Sequence, residues 1–142
     1  MTVDIDEDQV KCLVMCFLSW KKVCCQEVSI CFVNKTMIAK LHGDYFQDAT
    51  PTDCISFPID APQDKSNGYK VLGEVFVCPE IAFEYASTHH LSPLKELSLC
   101  IVHGLLHLLG YDDRNVKNQV IMYKEERLAI SYLQKKGVLL HA

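Results

Sequence analysis

The stretch SPLKELSLCIVHGLLHLLGYDD, residues 92–113, restricts the fold of this chain more than any other. Ser92 followed by Pro93 is a helix start, with Ser as N-cap and Pro at the first helical position. Beyond the first turn the run is apolar almost without break. A helix to Leu109 therefore has to sit centrally, covered on several faces. Gly110 supplies the stop, because it adopts a left-handed conformation without steric penalty. In the second half of that helix the only polar side chains are His103 and His107. Four residues apart, they project side by side. Buried imidazoles need partners for their nitrogens. Two readings stay open: a pair of core-edge histidines, or two ligands of one tetrahedral metal.

The residues after the stop favour the metal. Gly110 lets the chain turn back, and Asp112 and Asp113 follow the turn. Asp113 stands six positions after His107, within reach of completing a 2-His-1-carboxylate set. Such a set leaves coordination positions open for water and substrate. The pattern H-x3-H-x5-D, with glycine three after the second histidine, resembles the extended zinc motif HExxHxxGxxH of metzincin proteases. Residue 104 is Gly, however, where a zincin carries the glutamate that acts as general base. Peptide hydrolysis would lack its proton acceptor.

The rest of the chain reads as alternating short elements. Asp4 to Asp8 place negative charge at the start of a helix, and Val10, Leu13, Val14, Phe17 and Leu18 recur at helical spacing up to about Lys22. EVSICFV (27–33) is β-branched and aromatic, a strand. Asn34 caps a second helix with Met37, Ile38, Leu41 and Tyr45 on one side. QDATPTD (47–53) is a turn-rich loop, and CISFPI (54–59) a short strand with Pro58 at its end or edge. DAPQDKSNG (60–68) is the most polar segment and reads as a mobile loop. KVLGEVFVC (70–78) is a further strand, Pro79 opens a helix through about Thr88, and a last helix runs from about Asn115 to Lys136, stopped by Gly137. Strands and helices mix without strict alternation, so the class is α+β, or mixed α/β, with a small sheet.

Length and composition bound the function. The 142 residues fit a single domain, 1–142, with a core of its own. No apolar run approaches the roughly 20 residues of a membrane span. Acidic residues precede the first apolar run, the wrong charge for a secretory leader. Both features point to the cytoplasm. The eight cysteines include no CxxC pair and read as small buried hydrophobes kept reduced. Net charge is −4 but uneven. Residues 1–94 carry seven basic and thirteen acidic side chains, a net of −6, whereas residues 114–142 carry six basic and two acidic, a net of +4. A basic tail on an acidic body permits a local RNA-facing patch, or is simply a solvated helix face.

A closer likeness spans roughly residues 27–113. HGLLHLLGYDD resembles the HGxLHLxGYDH signature of the YbeY-type ribosomal-RNA maturation endoribonucleases. PTDCISFP (51–58) resembles that family's PTDVLSFP, and LGEVFVCPEIA (72–82) its LGDIxICPE-x-A. The resemblance implies a central metal-bearing helix packed on a small, mostly parallel sheet and wrapped by other helices. It implies metal-dependent cleavage of single-stranded RNA, tied to maturation of the 16S rRNA 3′ end and ribosome quality control. The implied partners are single-stranded rRNA and the ribosome or ribosomal proteins, with no membrane. The implied cofactor is one Zn2+ ion held by His103, His107 and Asp113.

Three departures stand out. The third ligand position holds Asp113 where the family has His. Carboxylates also suit Mg or Mn, so other divalent metals enter consideration. The acid after LG is Glu74 rather than Asp; it is expected to orient water or a ligand. Ahead of the PTD loop the family carries Tyr-Arg, its arginine contacting the substrate phosphate. Here the pair is Tyr45-Phe46, so Arg114, directly after Asp113, is the expected phosphate contact, and Phe46 is a ring able to stack on a base. Two other readings remain: a non-catalytic ribosome-assembly factor whose metal is structural, and a metalloprotease, opposed by Gly104.

Overall fold

A computed structural model describes residues 4–46, 52–63 and 68–142. The turn-rich stretch at 47–51 and the centre of the polar loop, 64–67, lie outside the described residues. The elements follow the sequence closely: α1 (Glu7–Trp20), β1 (Glu27–Phe32), α2 (Lys35–Phe46), β2 (Cys54–Pro58), β3 (Val71–Val77), α3 (Pro79–Thr88), α4 (Pro93–Leu108) and α5 (Val116–Lys135). Side chains cap most of the helix starts. Asp6 accepts from the backbone of Asp8 and Gln9, Asn34 from Met37, Ser92 from Lys95 and Asn115 from Asn118.

The class is mixed α/β as expected, but the sheet is not mostly parallel. In the order β1-β3-β2, β1 pairs with β3 in parallel and β2 pairs with β3 antiparallel. The reason is the connection. Twelve residues join β2 to β3, with no helix among those described, which suits antiparallel neighbours, whereas α2 lies between β1 and the strands that follow it.

Helix α4 is the hub. Leu97, Ile101, Val102, Leu105 and Leu106 are fully buried, and the helix packs on β2, β3, α3 and α5. Gly104 makes the close approach to the sheet. A Cβ there would lie 2.4 Å from Val75 Cγ1 and 2.8 Å from Cys54 Sγ. Ser56 Oγ donates to the Gly104 carbonyl at 2.9 Å, joining helix to strand. From α1, Val10, Leu13, Val14, Phe17 and Leu18 join this core as their spacing predicts. On the opposite face of the sheet Ile38 of α2 packs with Ile55 and Cys78, while Met37 and Tyr45 stay exposed rather than sharing its apolar side.

All four of α1, α3, α4 and α5 end in the same turn, with paired backbone bonds back to the last helical carbonyls. Gly110 and Gly137 take the left-handed position in two of them, and Lys22 and His90 take it in the others. The cysteines are all free, but only Cys78 and Cys100 are buried. Cys12 and Cys24 are exposed, against the expectation, because they lie on the outer face of α1 and in the turn after it. No helix among the described residues is long and apolar enough to cross a membrane.

Candidate metal centre

His103 and His107 project from the last two turns of α4 toward one point. Their Nε2 atoms are 3.0 Å apart. Two imidazole lone pairs cannot face each other at that distance unless a proton or a cation stands between them. The turn at Gly110, with φ +103°, sends the chain back over the helix end. Its bonds run from Gly110 N–H to His107 C=O and from Tyr111 N–H to Leu106 C=O, both 3.1 Å. Asp113 Oδ2 then lies 4.0 Å from both Nε2 atoms. In a tetrahedral zinc site, ligand atoms about 2 Å from the ion stand roughly 3.3 Å from one another. Two imidazoles and a carboxylate at 3.0–4.0 Å therefore fit a single divalent ion in both donor type and spacing.

The two aspartates divide their work. Asp112 Oδ1 accepts from the Arg114 backbone at 3.2 Å and the Asn118 amide at 2.7 Å. Those bonds, the first above all, hold its carboxyl below the usual range. Asp112 thus fastens the turn, and Asp113, with a side chain 53% exposed, is left to face the histidines.

A residue that sequence reasoning passed over completes the support. Glu126 of α5 hydrogen-bonds through Oε1 to His103 Nδ1. The contact fixes the His103 ring with Nε2 aimed at Asp113 and His107, as a carboxylate commonly does behind a metal-bound histidine. Burial works against protonating His103, but the bond and charge of Glu126, with Asp53 and Asp113 beyond, outweigh it and raise its pKa. His107 shifts the other way, lowered by burial and by the charge of His103. Its ring is held by the backbone of Tyr111. Nothing local in the sequence marks Glu126. It is one of two acids in a basic helix, and only the packing of α5 on α4 brings it to His103.

Glu74 does not join the cluster. Its neighbour Val75 points at Gly104 of α4, so strand alternation turns Glu74 to the opposite face of the sheet. There its charge, after burial, helps push up the thiol of Cys31. Arg114 lies on the same side as the cluster. It lines a cavity of about 580 Å³ together with His107, Asp113, Ser56, His42 and Phe46.

The sequence model of the family described as Endoribonuclease YbeY matches residues 2–134. The chain belongs to the YbeY family. It is 53% identical over 111 residues to a protein named Endoribonuclease YbeY from Protochlamydia amoebophila (strain UWE25), covering 78% of this chain and 73% of that one. It is 39% identical over 139 residues to the Endoribonuclease YbeY of Chlamydia trachomatis serovar D, covering 97% and 86%. The solution structure of TM1509 from Thermotoga maritima matches with a TM-score of 0.65 over 94% of this chain and 87% of that one. At 23% identity that likeness is one of fold. In the order of the family motif, His103 and His107 are followed by the turn at Gly110 and by Asp113, whose carboxylate stands where the motif has its third histidine.

Proposed function

We propose that this YbeY-family chain is a metal-dependent endoribonuclease that cleaves single-stranded RNA. Its place would be the cytoplasmic maturation of the 16S rRNA 3′ end and ribosome quality control. One observation carries the reading: of the three candidate ligands, His107 and Asp113 line an open cavity, so the cluster is not a closed shell. Structural zinc sites are closed by four protein ligands, and catalytic ones keep a position for water or substrate. That opposes the assembly factor with a structural metal. The protease reading fails on Gly104, whose position is pressed against β2 and β3, leaving no room for a glutamate base.

Zinc held by His103, His107 and Asp113 would polarise a phosphoryl oxygen and lower the pKa of water in the cavity. Glu126 orients His103. Arg114, exposed on the wall beside Asp113, would bind phosphate and offset its developing charge. A cavity of about 580 Å³ would suit an unpaired nucleotide better than a duplex. With a net charge of −4, unaided RNA capture is weak, so delivery by the ribosome or a ribosomal protein is part of the reading.

The test is cleavage of single-stranded RNA by the purified protein, with bound metal measured in parallel. Wild type should cleave, and His103→Ala and Asp113→Ala should lose both metal and cleavage. Cleavage that survives both substitutions, or stoichiometric zinc without turnover in the wild type, would overturn the proposal.

A further inference from the structure

The cavity beside the metal ligands has two chemically different walls. One is the turn after α4, with Asp112, Asp113 and Arg114. The other is the end of α2, with His42 and Phe46. Phe46 is 53% exposed, an aromatic ring on the cavity wall. Rings behind it hold it in place. Phe57 is stacked at 6.4 Å between centroids and 28° between planes, and Phe76 in turn packs edge-on against Phe57 at 5.7 Å. His42 stands beside it at 5.4 Å. The ring is thus fixed from the protein side.

We propose that Phe46 is a base-stacking subsite of this cavity, taking an unpaired nucleobase of single-stranded RNA next to a phosphate bound by Arg114. The proposal rests on the endoribonuclease reading and adds the contact that selects the substrate. In a single-stranded nucleotide the base and the phosphate project away from each other across the sugar. Arg114 takes the phosphate, and the aromatic wall takes the base. A phenyl ring offers no charge to a phosphate, whereas every nucleobase presents a face to it. Stacking contributes about 1–3 kcal/mol per base and tolerates any sequence. Larger faces stack better, so a modest preference for a purine at this subsite follows. Bases already stacked inside a duplex are unavailable to the ring, which makes Phe46 a discriminator for single strands.

The full-length protein, as purified, is titrated with cleavage-resistant 2′-O-methyl oligoribonucleotides carrying the fluorescent base 2-aminopurine at successive positions. Fluorescence should be quenched at one position, and Phe46→Ala should abolish that quench and weaken binding roughly tenfold. Phe46→Leu keeps apolar bulk against Phe57 but no ring, and should behave like Phe46→Ala. Phe46→Trp should bind at least as tightly as wild type. The salt dependence of binding should be the same in all four proteins, because no phosphate contact is lost. Wild-type binding by Phe46→Leu, or a quench that persists in Phe46→Ala, would overturn the stacking subsite while leaving the nuclease reading intact. Failure of the wild type to bind any single-stranded oligomer would overturn the nuclease reading itself.

Discussion

Glu126 and His103 are 23 positions apart in sequence and share a hydrogen bond between Oε1 and Nδ1. The bond has two opposing effects on a metal. It orients the imidazole and strengthens it as a ligand, and it also holds a proton on His103 that a metal must displace.

Substitution of Glu126 separates these effects. Metal affinity should fall as pH drops through the raised His103 pKa, because both imidazoles must be unprotonated. Glu126→Gln should lower affinity above that pKa by roughly 10–100-fold. It should also move the pH midpoint of metal loss downward, since His103 loses its partner for the charged form. Competition with a chromophoric chelator across pH reads both changes. In the metal-free protein the signs differ for the two rings. The His103 contribution is complete below the unfolded imidazole pKa of about 6.5 and is lost as pH rises through the folded value. The His107 pKa is lowered, so its contribution is present above about 6.5 and lost as pH falls. Glu126→Gln should remove the first trend and leave the second in denaturant unfolding with EDTA.

As a ligand, Asp113 would govern metal retention and choice. Asp113→Ala removes one of three ligands and should lower zinc affinity by more than the roughly 10–100-fold of a supporting residue. Asp113→His should keep zinc and reduce manganese loading relative to zinc, because a third imidazole suits the softer ion. Elemental analysis after growth in mixed metals reads the ratio; an unchanged ratio would remove Asp113 from the ligand set.

Gly104 is a packing residue. Gly104→Ala puts a methyl 2.4 Å from Val75 Cγ1 and should destabilise by about 1–3 kcal/mol, lowering Tm by several degrees. Gly104→Glu should be worse and should confer no protease activity on casein. Unchanged melting of Gly104→Ala would show that the helix can lift from the sheet.

Lys22 occupies the left-handed position after α1 with φ +57°. Lys22→Gly should relieve that strain and raise stability by roughly 0.5–1 kcal/mol, as a higher denaturant midpoint at constant slope.

The cysteines should separate by environment. Burial, with the charge of Asp53, pushes the Cys54 thiol up to about 12, and burial likewise raises Cys100. Neither should react with iodoacetamide in the native protein at neutral pH, whereas the exposed Cys12 and Cys24 should label first. Mass spectrometry of partially alkylated protein reads the order.

Most of the fold was legible because its signals are local. Helix periods, the caps Asn34 and Ser92, and the stops Gly110 and Gly137 are each read within a few residues. The clustering of His103, His107 and Asp113 was legible for the same reason: all three lie within one helix end and its turn. Lys22 and His90 end helices in the same conformation as the glycines, yet carry no residue-type signal for it.

The sequence by itself determined a central apolar helix with two histidines on one face and a turn that returns a carboxylate to them. Local backbone geometry dictates each of those. Only the tertiary structure decided that Glu126 supports His103 and that Glu74 faces away from the site. It also decided that the sheet is mixed and that Gly104 is where helix meets strand. These depend on which faces of separate elements pack together, and hydrophobic burial fixes that choice across distances that no sequence spacing records.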